Sequence, residues 1–295
     1  MSKILGIVGT VPEPDFPLTH GPVSLVRDHL TINGRKISVN RGTPALLAAG
    51  LKASERLNGS GEIYAFLVGD TGRGDGSRHL YEFLEQHLAE FNFNVLTFHY
   101  LQPDVDWHNR VLFAVQTIKE PPLLIADAGF MYAAKMSGQA PCYDFFTPDA
   151  GELAFLADEI APHPFYTRGF ILHQNDNVRE LIARAYQHQN AAAHLLVKGK
   201  CDYIADKRQI IRTVDHPCFD AMEAIGGTGD TLTGLLTVLC SADLKPADAA
   251  VVAARANRLT GCYAKPNPRT QVIELIDKIP QALSTALNMQ RTAII

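Results

Sequence analysis

Asp230 closes a glycine-rich loop, Gly226-Gly227-Thr228-Gly229-Asp230, between a polar segment, Asp215 to Glu223, and an apolar run, Thr231 to Leu239. The run reads as a buried helix, which puts the glycines at its N-terminus. The first N–H groups of a helix have no intrahelical acceptor and the dipole there is positive, so such a terminus takes an anion. The amides of Gly227, Thr228 and Gly229 would face phosphate oxygens, with glycine permitting close approach and positive φ. A carboxylate in this position repels a phosphate. Asp230 therefore needs a task, and general acid–base work on a substrate hydroxyl supplies one. The structural alternatives are a tight turn packing helix on sheet and a first-turn acid favoured by the dipole.

Two further clusters accompany the loop. Thr147-Pro148-Asp149-Ala150-Gly151-Glu152 follows the apolar stretch Tyr143 to Phe146. Leu195-Leu196-Val197-Lys198-Gly199-Lys200 reads as a buried strand ending in lysine and glycine. Another buried strand, Leu123 to Asp127, ends on an acid. In open α/β sheets ligands bind beyond the carboxyl ends of the strands. Asp127, Thr147, Lys198 and Asp230 are therefore expected to line one crevice.

The elements that must position these residues alternate. Strands are expected near residues 4–9, 63–68, 95–99, 123–127 and 193–198, and a short one over Ile37 to Val39. A hairpin is expected over Cys201 to Ala205 and Ile210 to Val214. Between the strands, helices are expected over Ala45 to Leu57, Ser77 to Glu90, Trp107 to Ile118, Phe130 to Met136, Gly151 to Ala157 and Asn177 to His188. The chain should end on three helices, Asp230 to Cys240, Ala247 to Tyr263 and Val272 to Leu287. Thr10 to Gly21 breaks helix, and a Pro/His-rich loop follows Ala157. This alternation implies an α/β fold with a mostly parallel sheet covered by helices on both faces, in a single domain spanning 1–295.

Composition excludes several partners. The 295 residues carry 27 basic and 31 acidic side chains, a formal net charge of −4 without a Lys/Arg run, which argues against nucleic acid and anionic membranes. No stretch has the ~20 apolar residues a membrane helix needs. The opening Met1 to Gly9 is broken by glycine and reads as a first core strand rather than a signal peptide. Cys142, Cys201, Cys218, Cys240 and Cys262 have no CxxC spacing, which fits buried inert thiols and a cytoplasmic location. The histidines show no metal-ligand spacing, so no zinc site is expected.

From about Leu123 to Leu283 the chain resembles the ribokinase-like superfamily, and within it the ADP- or ATP-dependent NAD(P)H-hydrate dehydratases. Ile125-Ala126-Asp127-Ala128 stands for their "LDAD" strand end, residues 147–152 for "TPHPGE", residues 196–200 for "vvlKGa" and residues 226–234 for "GGsGDvLaG". The resemblance implies a ribokinase-like three-layer fold, an ADP or ATP cofactor, Mg2+, a small-molecule substrate and a homo-oligomer. It implies a nucleotide site at Lys198, Gly199, Gly227, Thr228, Gly229 and Asn257. Lys198 would neutralise phosphate or approach the adenine–ribose region, or else be a surface lysine. Asn257 would meet adenine edges, or else be a satisfied buried amide. Asp230 would be the catalytic residue and Asp127, Thr147 and Asp149 would lie on the substrate side, or else Asp127 would cap the following helix. Glu152, in a segment similar to the kinases' Asn-x-x-Glu, would order magnesium through water, or else serve as a first-turn carboxylate.

The N-terminal half departs from the dehydratases. Where they carry a glycine-rich loop, this chain has Thr97-Phe98-His99-Tyr100 without glycine, and their "HPGE" histidine is Asp149. Gly69-Asp70-Thr71-Gly72-Arg73-Gly74 instead resembles the "GDDxxG" segment of sugar and nucleoside kinases. A kinase of a small hydroxylated molecule is the alternative function, and a lid of extra strands over Thr10 to Val39 would favour it. A non-catalytic nucleotide sensor is a third.

Overall fold

The computed structural model describes residues 3–57, 61–160, 177–267 and 269–292. Six parallel strands form the centre of one sheet, in the order β5 (Glu62–Gly69), β1 (Ile4–Val11), β6 (Val95–His99), β7 (Leu123–Ala126), β8 (Phe145–Phe146) and β9 (His194–Val197). The hairpin β10 (Asp202–Asp206) and β11 (Ile210–Val214) extends one edge antiparallel to β9. A meander of β2 (Thr19–Val26), β3 (His29–Ile32) and β4 (Arg35–Ser38) extends the other from β5.

The pleat divides the apolar residues between two cores. Leu5, Ile7, Ala65, Leu67, Val95, Ile125, Phe145 and Leu196 face α1 (Thr43–Arg56), α7 (Thr228–Leu239), α8 (Pro246–Ala264), α9 (Val272–Ile276) and α10 (Ile279–Thr292). Val8, Phe66, Val68, Leu96, Phe98, Leu124, Ala126, Phe146, Leu195 and Val197 face the opposite layer. That layer holds α2 (Asp75–His87), α3 (Val105–Gln116), α4 (Ala128–Met136), α5 (Ala150–Ala157) and α6 (Val178–Gln187). Successive side chains of a strand point to opposite faces, so one chain segment feeds both cores.

Several expectations need correction. Thr19 to Ser38 is a three-stranded meander, of which only the last strand was expected as an element of the sheet and the others only as a lid in the kinase alternative. Its second turn is Asn33-Gly34, both at positive φ, a pairing that favours a tight hairpin. Leu30, Ile32 and Ile37 are buried in the core that also takes up α1, so the meander is part of the packed sheet. The last expected helix is two, α9 and α10. Pro280 lacks the N–H that a continuing helix needs, but fits the first turn of a new one. The thiols are not buried as a set: Cys142 and Cys218 are exposed and the other three half-buried, all free. Most of the Pro/His-rich stretch, residues 161–176, lies outside the described residues. Among the described residues no helix is long and apolar enough to cross a membrane.

Candidate functional site

Strand parity assembles the site. The face that carries Val95, Ile125, Phe145 and Leu196 into the α1/α7 core continues, two residues on in each strand, to Thr97, Asp127, Thr147 and Lys198, and from Thr97 to His99. The polar strand ends therefore meet the first turn of α1 and the first three turns of α7. Thr97 Oγ1 lies 2.8 Å from Thr237 Oγ1, and Thr147 Oγ1 3.0 Å from Thr233 Oγ1. Thr233 Oγ1 in turn donates to Asp127 Oδ2 at 2.6 Å.

Asp127 is the hub of this floor. It N-caps α4, accepting from the Ala128 N–H at 2.8 Å, and both its oxygens accept from Lys198 Nζ at 2.9 Å. Asp127 is 1 % exposed and Thr147 wholly buried. These two of the three residues expected on the substrate side thus lie beneath the crevice, spent on protein hydrogen bonds. Burial alone would lower the Lys198 ammonium, but the Asp127 and Glu152 carboxylates outweigh it and hold the group above the usual lysine range. Lys198 is not a surface lysine. Its stem lies over Gly229, where a Cβ would stand 3.5 Å from Lys198 Cδ. An ammonium and a helix N-terminus consequently face the same space, a strong anion site.

α7 begins as its sequence requires. Gly227 caps it at φ 101°, and a Cβ there would meet Val272 Cγ2 at 3.1 Å and Ala45 Cβ at 3.3 Å. Gly227 is thus needed for the turn and for close packing on α1 and α9, and it does not line the cavity beyond the loop. Thr228 and Gly229 do. That cavity has a volume of about 490 Å³ and is also bordered by Lys198, Gly199, Asp149 and Asn257. Pro217, Phe219, Met222 and Leu232 give it an apolar part. Asn257 accepts from Thr231 Oγ1 at 2.7 Å and donates to Thr228 O at 3.0 Å, so this amide clamps the first turn of α7. Arg258 ties the Lys-Gly turn to α8: it donates to Asp202 Oδ2 at 2.7 Å, Gly199 O at 2.8 Å and Lys200 O at 3.0 Å.

Asp149 is exposed on the wall of this cavity, beside Lys198. It N-caps α5 in a reciprocal capping box: Glu152 N–H donates to Asp149 Oδ1, and Asp149 N–H to Glu152 Oε2, both at 2.8 Å. Tyr132 donates to Glu152 Oε1 at 3.3 Å. The first-turn role of Glu152 is therefore present. Burial raises its carboxyl to about 8; Lys198 opposes this, and Asp127 and Asp149 add to it. Asp70, in the kinase-like segment, accepts from the N–H groups of Gly72, Arg73, Gly74 and Ser77 and locks the turn before α2.

Asp230 is 7 % exposed in the first turn of α7. Its Oδ2 accepts from the Gly42 N–H at 2.7 Å, and its Oδ1 lies 3.1 Å from His99 Nε2. The other ring nitrogen of His99 is 3.0 Å from Thr43 Oγ1. Burial would raise the Asp230 carboxyl, but the His99 hydrogen bond, the Lys198 charge and the Gly42 N–H hold it below the usual carboxylate range. It is an ionised, fixed acceptor within reach of the anion site. The sequence reading missed His99, Thr43 and Gly42. His99 was signalled by its place at the end of a strand next to the one ending in Asp127. Tyr100 follows at φ 53° and 48 % exposed, its carbonyl held by Thr10 Oγ1 at 2.8 Å.

An uncharacterized protein of Methanocaldococcus jannaschii is 40 % identical over 227 residues, which is 77 % of this chain and 93 % of that one. A bifunctional NAD(P)H-hydrate repair enzyme of Hyperthermus butylicus is 37 % identical over 95 residues, 32 % of this chain and 17 % of that enzyme. In structure, the ADP/ATP-dependent NAD(P)H-hydrate dehydratase of Bacillus subtilis superposes with a TM-score of 0.57 at 15 % identity, covering 95 % of this chain and 89 % of that one, and so shares the ribokinase-like fold. A family model described as NAD(P)H-hydrate dehydratase, of carbohydrate-kinase type, matches residues 102–281, and the chain belongs to that family.

Proposed function

We propose that the protein is an ADP- or ATP-dependent NAD(P)H-hydrate dehydratase. The observation that carries this reading is the apposition of an ionised Asp230 to the α7 N-terminus and Lys198, in a chain of this family. The nucleotide would place its phosphates over Thr228 and Gly229 and its base toward Phe219 and Met222, with Lys198 neutralising phosphate charge. Asp230 would take the proton from the hydrate's hydroxyl as that oxygen bonds to the terminal phosphorus and the anhydride bond of that phosphorus breaks, releasing AMP from ADP or ADP from ATP. The phosphorylated hydroxyl would then leave as phosphate, and loss of a ring proton would restore the double bond. Asp230 needs no pKa change to act, because it is already deprotonated.

The hard carboxyl oxygens of Glu152 and Asp149 beside Lys198 suit magnesium. Among the described residues no group of three or more His, Cys, Asp or Glu side chains converges to hold a metal. The ion would arrive with the phosphates and meet Glu152 through water, as magnesium sites built around nucleotides do. Its chemistry when bound is neutralisation of phosphate charge.

A small-molecule kinase is the second reading, favoured by the meander beside β5. Against it, Leu30, Ile32 and Ile37 are buried in the main core, whereas a free lid would expose its apolar face. A cytoplasmic location and a homo-oligomer are part of the proposal. Incubation of hydrated NADH with ADP or ATP and magnesium tests the function: regeneration of NADH supports it, and phosphorylation of a sugar, nucleoside or vitamin precursor without NADH regeneration favours the kinase.

A further inference from the structure

We infer that His99 is a positioning residue for Asp230, a role that rests on the proposed function for its catalytic meaning. The ring is fully buried between the N-terminus of α1 and the first turn of α7. A carboxylate only accepts hydrogen bonds, so His99 Nε2 carries a proton and donates to Asp230 Oδ1 at 3.1 Å. The Thr43 hydroxyl, 3.0 Å from Nδ1, has a proton to give and fixes the opposite nitrogen as acceptor. Backbone and side chain thus grip the carboxylate from both oxygens, Gly42 N–H on one and His99 on the other.

The neighbouring strand is shaped to admit this chain of contacts. A Cβ on Gly9 of β1 would run into Thr43 Oγ1, Thr43 Cγ2 and the His99 carbonyl oxygen. Glycine at this point leaves room for Thr43 to reach the ring. His99 also stands at the position where the dehydratases that this chain resembles carry a glycine-rich loop. A side-chain donor here replaces open backbone, and it acts on the carboxylate placed to move the proton.

The charged and titratable groups facing Asp230 are His99 and Tyr100 from β6 and the loop after it, Lys198 from the end of β9, and Asp127 from the end of β7, whose Oδ2 is 3.8 Å from His99 Nε2. The Lys198 and Asp127 charges are bound to each other, so His99 is the polar side chain whose removal acts most directly on Asp230.

Two substitutions test this. His99→Gln keeps an N–H near the Nε2 position, whereas His99→Asn places its amide near Nδ1, beside Thr43 and short of Asp230. Carboxyl-labelled aspartate followed by NMR against pH gives the Asp230 midpoint, assigned by its loss in Asp230→Asn. The midpoint should rise in His99→Asn and stay near the wild-type value in His99→Gln. The acidic limb of kcat/KM should move with it, and kcat should fall while KM for nucleotide holds. Coincident midpoints in wild type and His99→Asn would overturn the inference. The titration needs no substrate, so it decides the role of His99 even if hydrated NADH is not turned over, an outcome that would sink the function and not this contact.

Discussion

Lys198 Nζ sits 2.9 Å from both carboxylate oxygens of Asp127, and both groups are largely buried. The pair joins the ends of β9 and β7, and through Thr233 it also holds α7. One ion pair therefore sets the floor of the crevice and the place of the cation that faces the phosphate site.

Breaking that pair from one side should be costly. Lys198→Met leaves Asp127 buried and unpaired, with an expected loss of about 3–5 kcal/mol in a denaturant titration. Asp127→Asn in the same chain should restore much of the stability, because no buried charge remains. Nucleotide stabilisation should stay lost in the double variant. Recovery of nucleotide binding there would remove Lys198 from the site.

The two loop glycines should respond differently. Gly229 faces the cavity, so Gly229→Leu should abolish stabilisation by ADP and ATP in a thermal-shift assay while the unliganded Tm changes little. Gly227 is at positive φ with Val272 and Ala45 against it, so Gly227→Ala should lower the Tm, by the roughly 1–3 kcal/mol that a strained backbone position costs. Unchanged nucleotide binding in Gly229→Leu would place the phosphates elsewhere.

The raised Glu152 carboxyl predicts a pH-dependent stability. A carboxyl with a folded-state pKa of about 8 binds its proton more tightly in the native state than in the unfolded chain. It therefore costs stability progressively as pH rises from the ordinary glutamate range toward 8. Glu152→Gln removes that cost and keeps an acceptor for Tyr132. The variant should have a higher Tm than wild type at the top of this window, and the difference should vanish below the ordinary glutamate pKa. A difference independent of pH would exclude ionisation as its cause.

Much of this site was legible because its residues stand at the ends of apolar runs. Asp127, Lys198 and the Gly226 to Asp230 loop were placed by that rule, and the structure brings them together. What the sequence did not convey is the direction of each side chain. Asp127 and Thr147 were expected to line the crevice, but strand parity turns them under α7, where Thr233 holds both. Asn257 and Glu152 meet partners, Thr231 and Asp149, that a linear reading cannot rank against a ligand. His99 was hidden because its partners, Thr43 and Asp230, are 56 and 131 residues away along the chain. The meander was missed because β2, with Gly21 and Pro22, lacks a clean alternation, although Asn33-Gly34 marked its turn.

Asp230→Asn tests the central claim most directly. The substitution keeps the shape and removes the negative charge. NADH regeneration from its hydrate, with ADP or ATP and magnesium, should fall by the ~10²–10⁴-fold that loss of a general base brings. Nucleotide affinity should hold or rise, because a charge repelling phosphate has gone. Full regeneration of NADH by the Asn variant would contradict the account and leave the site without its base.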